Sequence, residues 1–141
     1  MRARYGLNLT ITTPGPDAAA HPCGTPSCCQ FRKVEPLRRA VAGRRAWLTS
    51  LKRSDGPTRA DTPIVSWDAS FGLVKINPLA TWTDVDVATY VADHDLPQHP
   101  LLAKGYRSIG CAPTTRPVGD GEDARAGRWA GLDKTECGLH A

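Results

Sequence analysis

The sequence predicts an α/β layer with an irregular C-terminal third laid over it. Three observations carry that expectation. Short apolar or β-branched runs alternate with helical spacing through the first two thirds of the chain. Residues 83–94 combine a threonine cap, an acidic first turn and an apolar stripe, the marks of an amphipathic helix. From His99 onward the periodicity is lost, and 13 Gly and 12 Pro in 141 residues supply many turns.

In chain order, residues 5–12 (YGLNLTIT) alternate and end β-branched, which predicts a strand. A strand that opens the chain needs partners elsewhere, which implies a missing N-terminal portion. Residues 14–27, rich in Pro, Gly, Ala and Thr, read as a loop. After Cys28-Cys29, the apolar Phe31, Val34, Leu37, Ala40 and Val41 recur at helical spacing. Pro36 fits a first helical turn, and Gly43 ends the helix. Residues 46–51 (AWLTSL) read as a strand closed by Lys52-Arg53, and residues 54–63 as a loop holding Arg59. Residues 64–67 and 73–77 read as two further strands. The helix at 83–94 carries Val87, Tyr90, Val91 and His94 on one face, and Leu96-Pro97 ends it.

Composition bounds the function classes. The length suits one ordinary domain with a buried core. The net charge of +4, from 18 basic and 14 acidic residues, suits a small anionic ligand as well as nucleic acid. No basic run is interleaved with aromatics, which argues against a nucleic-acid binder. No apolar run reaches membrane-spanning length and no signal peptide follows Met1-Arg2-Ala3-Arg4. Five cysteines, two of them adjacent, do not suggest a secreted disulfide framework and point to a cytoplasmic chain with metal-binding or redox thiols.

Three constellations carry chemistry. In the last eight residues, Lys134 precedes Cys137 and His140 follows it by three positions each. Cationic neighbours favour the reactive thiolate, and Gly138 permits a bend or close approach; a frayed tail with an incidental cysteine is the alternative. Cys28, Cys29 and Cys111, the last in a Gly-Cys-Ala-Pro loop, suit three corners of an iron–sulfur cluster. They fit equally a zinc site completed by Cys23, His21 or His99, or small buried apolar positions. The third constellation is basic: Arg32-Lys33, Lys52-Arg53, Arg59, Arg116, Arg125 and Arg128. Guanidinium forks match phosphate and sulfate oxygens, and Gly127 between Arg125 and Arg128 would let a ligand approach the backbone.

Together, Cys28-Cys29-Gln30-Phe31-Arg32-Lys33-Val34-Glu35-Pro36-Leu37, Gly110-Cys111-Ala112-Pro113, Gly127-Arg128-Trp129 and Lys134-Thr135-Glu136-Cys137-Gly138-Leu139-His140 resemble the C-terminal half of assimilatory adenylylsulfate (APS) reductases. These belong with the phosphoadenylylsulfate (PAPS) reductases. The resemblance implies an adenine-nucleotide α-hydrolase-like fold, a parallel sheet with flanking helices, of which residues 1–141 form the C-terminal part. The half with the Ser-Gly-Gly-Lys-Asp-like nucleotide loop has no counterpart here. It further implies that Cys137 attacks the sulfur of adenylylsulfate, that AMP leaves, and that thioredoxin or glutaredoxin releases sulfite from the S-sulfocysteine. Lys33, Arg125, Arg128 and His140 would hold the phosphosulfate, and Arg59 the phosphate. Cys28, Cys29 and Cys111 would ligate a [4Fe–4S] cluster. The resemblance leaves a homo-oligomer open.

One departure matters. The family's fourth cluster cysteine falls at Thr114, in Thr114-Thr115-Arg116, as in the cluster-free PAPS branch. Cys23 is the substitute ligand within the chain. The competing readings are a cluster-free PAPS reductase and an inactive metal-binding remnant.

Overall fold

A computed structural model of the chain describes residues 2–140. It divides them into two units: residues 2–42 together with 137–140, and residues 43–136.

The first unit is helical. A short helix α1 (Arg2–Tyr5) leads into extended chain without ladder pairing. The strand expected at 5–12 is therefore not formed. Its alternation is real, but a strand exists only when a neighbour takes up its N–H and C=O groups. Here Leu9 N–H instead turns back to the Leu7 carbonyl, and the Leu9 carbonyl accepts from Arg2. Part of the 14–27 loop is a 3₁₀ turn, Pro16–Ala20.

Helix α2 (Pro26–Cys29) begins ten residues before Pro36, with Thr25 as its cap. The Thr25 hydroxyl accepts from Cys28 N–H at 3.2 Å, and Pro26 occupies the first turn, where no N–H is missed. The axis continues through a π-turn, Gln30–Val34, into α3 (Glu35–Val41). Pro36 is thus passed rather than used as a start. A proline inside a helix lacks a donor and crowds the preceding turn. The wider π-turn just before it, closed by Glu35 N–H to the Gln30 carbonyl, gives the ring room. Helix α3 ends at Val41, ahead of Gly43 at φ +71. The buried residues of this unit are Ala18, Cys28, Cys29, Val34, Pro36 and Cys137. His21 stacks on Phe31 at 4.0 Å.

The second unit holds a three-stranded sheet in the order β1-β3-β2: β1 (Ala46–Leu48), β2 (Val65–Asp68) and β3 (Leu73–Ile76). The α/β class holds, but the sheet is mixed where a parallel one was expected. β1 runs parallel to β3, whereas β2 and β3 form an antiparallel pair. The cause is connection length. Residues 69–72 are too few for a crossover and can only close a hairpin. The turn is closed by Gly72 N–H to the Asp68 carbonyl at 2.7 Å, with Gly72 at φ +69.

Register puts Ala46, Leu48, Val65, Trp67, Val74 and Ile76 on one sheet face. Leu48, Val65 and Trp67 there are largely exposed. The opposite face carries Trp47, Ser66, Asp68, Leu73 and Lys75, with Leu73 buried and Lys75 over the Trp47 ring at 5.2 Å. Asn77, 1 % exposed, ties the elements together. Its amide donates to the Pro63 carbonyl at 2.8 Å, its N–H donates to the Ile64 carbonyl, and the Thr49 hydroxyl donates to its Oδ1.

Helix α4 (Asp84–Asp93) forms as expected, with a reciprocal capping box between Thr83 and Asp86. Lys52 donates to Asp84 at its first turn, at 2.7 Å. Residues 94–136 contain no further α-helix or strand, only 3₁₀ turns such as Leu102–Lys104 and Ala112–Thr114. Among the described residues no helix is long and apolar enough to cross a membrane.

Candidate functional site

The first unit gathers Cys28, Cys29, Lys33 and Cys137. Cys28 and Cys29 end the capped helix, and Lys33 lies in the π-turn that follows. The terminal segment packs against them. A side chain on Gly138 would meet Cys29 Cβ at 3.0 Å and Val34 Cγ2 at 3.9 Å, so the absence of a side chain is what lets the tail lie this close. Lys33 Nζ donates to Cys137 Sγ at 3.5 Å. Cys137 is 6 % exposed, so sulfur and ammonium meet with little competing water. Sequence reasoning named Lys134 as the cation near this thiol and did not foresee Lys33 as its hydrogen-bond donor. His140 lies in the same unit, its N–H bonded to the Cys137 carbonyl at 2.9 Å, so the segment turns immediately after the thiol.

The second unit holds the arginines. Arg59 is 8 % exposed, on a 3₁₀ turn (Pro57–Arg59). Its Nε and Nη2 donate to the two oxygens of Glu136, each at 2.8 Å. Its Nη1 donates to Asp55 at 2.8 Å. Thr58 donates a third hydrogen bond to Glu136 at 2.9 Å, and Arg125 approaches it at 3.4 Å. Burial alone would push Glu136 up, but hydrogen bonds from Arg59 and Thr58, with the charges of Arg59 and Arg125, hold its carboxyl down at about 2. The same competition, won by Lys52 and Arg59, keeps Asp55 below its usual range.

Arg125 and Arg128 flank Gly127, as expected, though the glycine serves the chain itself. A Cβ there would lie 2.2 Å from the Arg116 carbonyl oxygen, and Arg116 N–H donates to the Gly127 carbonyl at 3.0 Å. Only a bare Cα permits this backbone contact. Next to it Trp129 is 2 % exposed with φ +53, a left-handed conformation rare for a bulky side chain. Arg128 lies over its ring at 4.5 Å and Lys134 at 5.7 Å. A cleft of about 590 Å³ is bordered by Asp55, Thr58, Arg125, Arg128, Lys134 and Glu136. Its basic side chains could receive an anion.

Cys111 lies in the second unit, half-buried. Thr114 and Thr115 both direct their hydroxyls to the Cys111 carbonyl, at 3.4 and 2.8 Å, and Thr115 also accepts from Gly110 N–H. The Thr114 oxygen is thus engaged in closing its own turn. Cys23, the substitute ligand considered above, is exposed. Among the described residues no three Cys, His, Asp or Glu side chains converge as a metal site requires. Cys28 and Cys29 are the two buried adjacent thiols of the first unit, and a [4Fe–4S] cluster takes four such ligands.

Sequence reasoning missed Glu136, Asp55 and Thr58. Glu136 was visible only as a letter of the terminal motif, because partners 77 positions away in the chain leave no local signal.

A protein-family model described as the phosphoadenosine phosphosulfate reductase domain matches residues 1–117. The adenosine 5'-phosphosulfate reductase of Streptomyces coelicolor is 59% identical over 113 residues, 80% of this chain and 48% of its own length. That of Mycobacterium tuberculosis is 58% identical over 114 residues, 81% of this chain and 45% of its own. Among solved structures, the PAPS reductase from Candida auris, a phosphate complex, superposes with a TM-score of 0.66 at 30% identity. That match covers 82% of this chain and 61% of the other. The chain spans about half the length of the curated relatives it matches. It is a member of the phosphoadenosine phosphosulfate reductase domain family.

Proposed function

We propose that this chain carries the thiol chemistry of a thioredoxin-dependent adenylylsulfate reductase of sulfate assimilation. The observation that carries the reading is the buried Cys137 thiol receiving a hydrogen bond from Lys33 at 3.5 Å. A soft thiolate attacks the sulfur of adenylylsulfate. The S–S bond forms as the bond from sulfur to the bridging phosphate oxygen breaks, and the electron pair leaves with AMP. A dithiol, thioredoxin or glutaredoxin, then attacks the S-sulfocysteine. It is oxidised to a disulfide while sulfite departs and Cys137 returns as a thiol. By the resemblance, Lys33, Arg125, Arg128 and His140 hold the phosphosulfate, and the lysine and two arginines supply positive charge for the departing phosphate; the Arg59 fork is taken by Glu136. The identity to named adenosine 5'-phosphosulfate reductases favours adenylylsulfate over its 3′-phosphorylated analogue.

A [4Fe–4S] cluster on this chain would draw on Cys28, Cys29 and Cys111, with Cys23 or an outside ligand in the fourth place. The adjacent buried pair supports that assignment, whereas the engaged Thr114 hydroxyl opposes it. No step of the chemistry above depends on the cluster.

Incubation of the chain with adenylylsulfate, followed by peptide mass spectrometry, tests the proposal. A gain of one sulfo group on Cys137, absent in Cys137→Ser, is the expected result. The absence of any adduct in the wild-type chain would refute it and favour an inactive remnant. A preference for the 3′-phosphorylated nucleotide in competition would favour the PAPS reading, which Thr114-Thr115-Arg116 and the Candida auris structure motivate.

A further inference from the structure

We infer that Glu136 is a positioning residue for the Cys137 thiol, its carboxylate clamping the backbone one position before the nucleophile. The inference rests on the reading of Cys137 as the nucleophile, and it concerns how that thiol is held.

Residues 129–136 belong to no α-helix or strand; backbone bonds hold Ala130, Leu132 and Lys134, and past them side chains of the segment and its neighbours add further ties. Of the two neighbours of Cys137, Gly138 has no side chain with which to hold anything. Glu136 is held by its carboxylate. Its Oε1 accepts from Arg59 Nε at 2.8 Å, Thr58 at 2.9 Å and Arg125 at 3.4 Å, and its Oε2 accepts from Arg59 Nη2 at 2.8 Å. Arg125 also donates to the Thr135 carbonyl at 3.3 Å, which straps the preceding residue.

The partners are themselves fixed. Arg59 is held by Asp55, and Asp55 accepts from both Lys52 Nζ at 2.7 Å and Lys52 N–H at 3.2 Å. The side chains of Arg59 and Glu136 are only 10 and 12 % exposed, so water competes weakly for the fork. A bidentate guanidinium–carboxylate pair fixes angle as well as distance. Nucleophile placement is worth large rate factors, and a displacement of about 1 Å can cost about a hundredfold. Arg59 therefore acts on the reaction through Glu136. An anionic ligand reaches the same guanidinium edge only by displacing that carboxylate.

The test uses the full chain with Glu136→Gln, Glu136→Asp, Arg59→Ala and the double variant Arg59→Ala/Glu136→Gln. The first readout needs no turnover: the rate at which iodoacetamide alkylates Cys137 under native conditions, read by peptide mass spectrometry. Glu136→Gln and Arg59→Ala are each expected to raise it by about tenfold, the scale of one lost charge-assisted pair. The double variant should rise no further, because both changes remove one interaction. Glu136→Asp keeps the charge and should lie closer to wild type.

The second readout is S-sulfocysteine formation at varied adenylylsulfate. A positioning role lowers the maximal rate of Glu136→Gln with little change in the half-saturating concentration. Tryptophan fluorescence serves as the folding check. Wild-type alkylation in a folded Glu136→Gln overturns the inference even if the wild-type chain forms the adduct. The expected alkylation pattern in a chain that forms no adduct upholds the clamp and removes the nucleophile reading. Additive effects in the double variant would also overturn it.

Discussion

Replacing Gly127 by alanine probes the packing that sets Arg125 and Arg128. The added Cβ would lie 2.2 Å from the Arg116 carbonyl oxygen and 3.1 Å from Val118 Cγ1. No side-chain rotation relieves the first contact, because both parties are backbone. The two segments must part, and the 3.0 Å hydrogen bond from Arg116 N–H to the Gly127 carbonyl goes with them. Overpacking of this kind costs about 1–3 kcal/mol, and the lost hydrogen bond adds about 1 kcal/mol. A destabilisation of about 2–4 kcal/mol is expected. Urea unfolding followed by tryptophan fluorescence measures it, with the buried Trp129 two positions away as a local reporter. Gly121→Ala is the control. Gly121 has φ +82 with open space around it, so only conformational strain of about 1–2 kcal/mol applies. Equal urea midpoints for Gly127→Ala and Gly121→Ala would refute the steric argument. A Gly127→Ala midpoint equal to wild type would refute the backbone geometry itself.

Three further outcomes follow from the same structure. Gly138→Ala forces a Cβ to 3.0 Å from Cys29 Cβ and should loosen the terminal segment. Faster alkylation of both Cys29 and Cys137, read by peptide mass spectrometry, is the expected sign, and unchanged rates would count against the packing described. Because the Glu136 carboxyl sits at about 2, below its unfolded value of 4.5, its pairing contributes fully above the ordinary carboxylate range and is lost as pH falls toward 2. The stability difference between wild type and Glu136→Gln should therefore shrink between about pH 6 and about pH 3, as urea midpoints would show. Thr114→Cys replaces the hydroxyl that closes the Cys111 turn with a fourth thiol. Iron per chain after anaerobic purification should rise, and unchanged iron would dismiss Thr114 as the missing ligand position.

Much of the architecture was legible locally. The helix at Asp84–Asp93 was readable because its cap, first-turn acids and apolar spacing all lie within one short segment. The strands read at 46–51, 64–67 and 73–77 were placed for the same reason, as β-branched and apolar runs between turn residues, and form over Ala46–Leu48, Val65–Asp68 and Leu73–Ile76. The family was legible too, because its motifs are contiguous letters, and the match over residues 1–117 bears the resemblance out. The failures share one cause. The expected strand at residues 5–12 had the right alternation but no partner, and pairing is not a property of a segment. Pro36 looked like a helix start because its neighbours could not reveal that a capped turn at Thr25 and a π-turn would carry the axis past it.

The sequence by itself determined which residue types are available for the chemistry: one thiol in the terminal segment, a cysteine pair, a set of arginines, and a threonine where a fourth cluster cysteine would stand. Those are matters of identity and spacing. Tertiary structure alone decided which of them meet. It brought Lys33 to the Cys137 sulfur across 104 positions, and it joined Arg59 to Glu136 across 77. Such pairings depend on how loops close and which charges are buried together, and no local pattern encodes either.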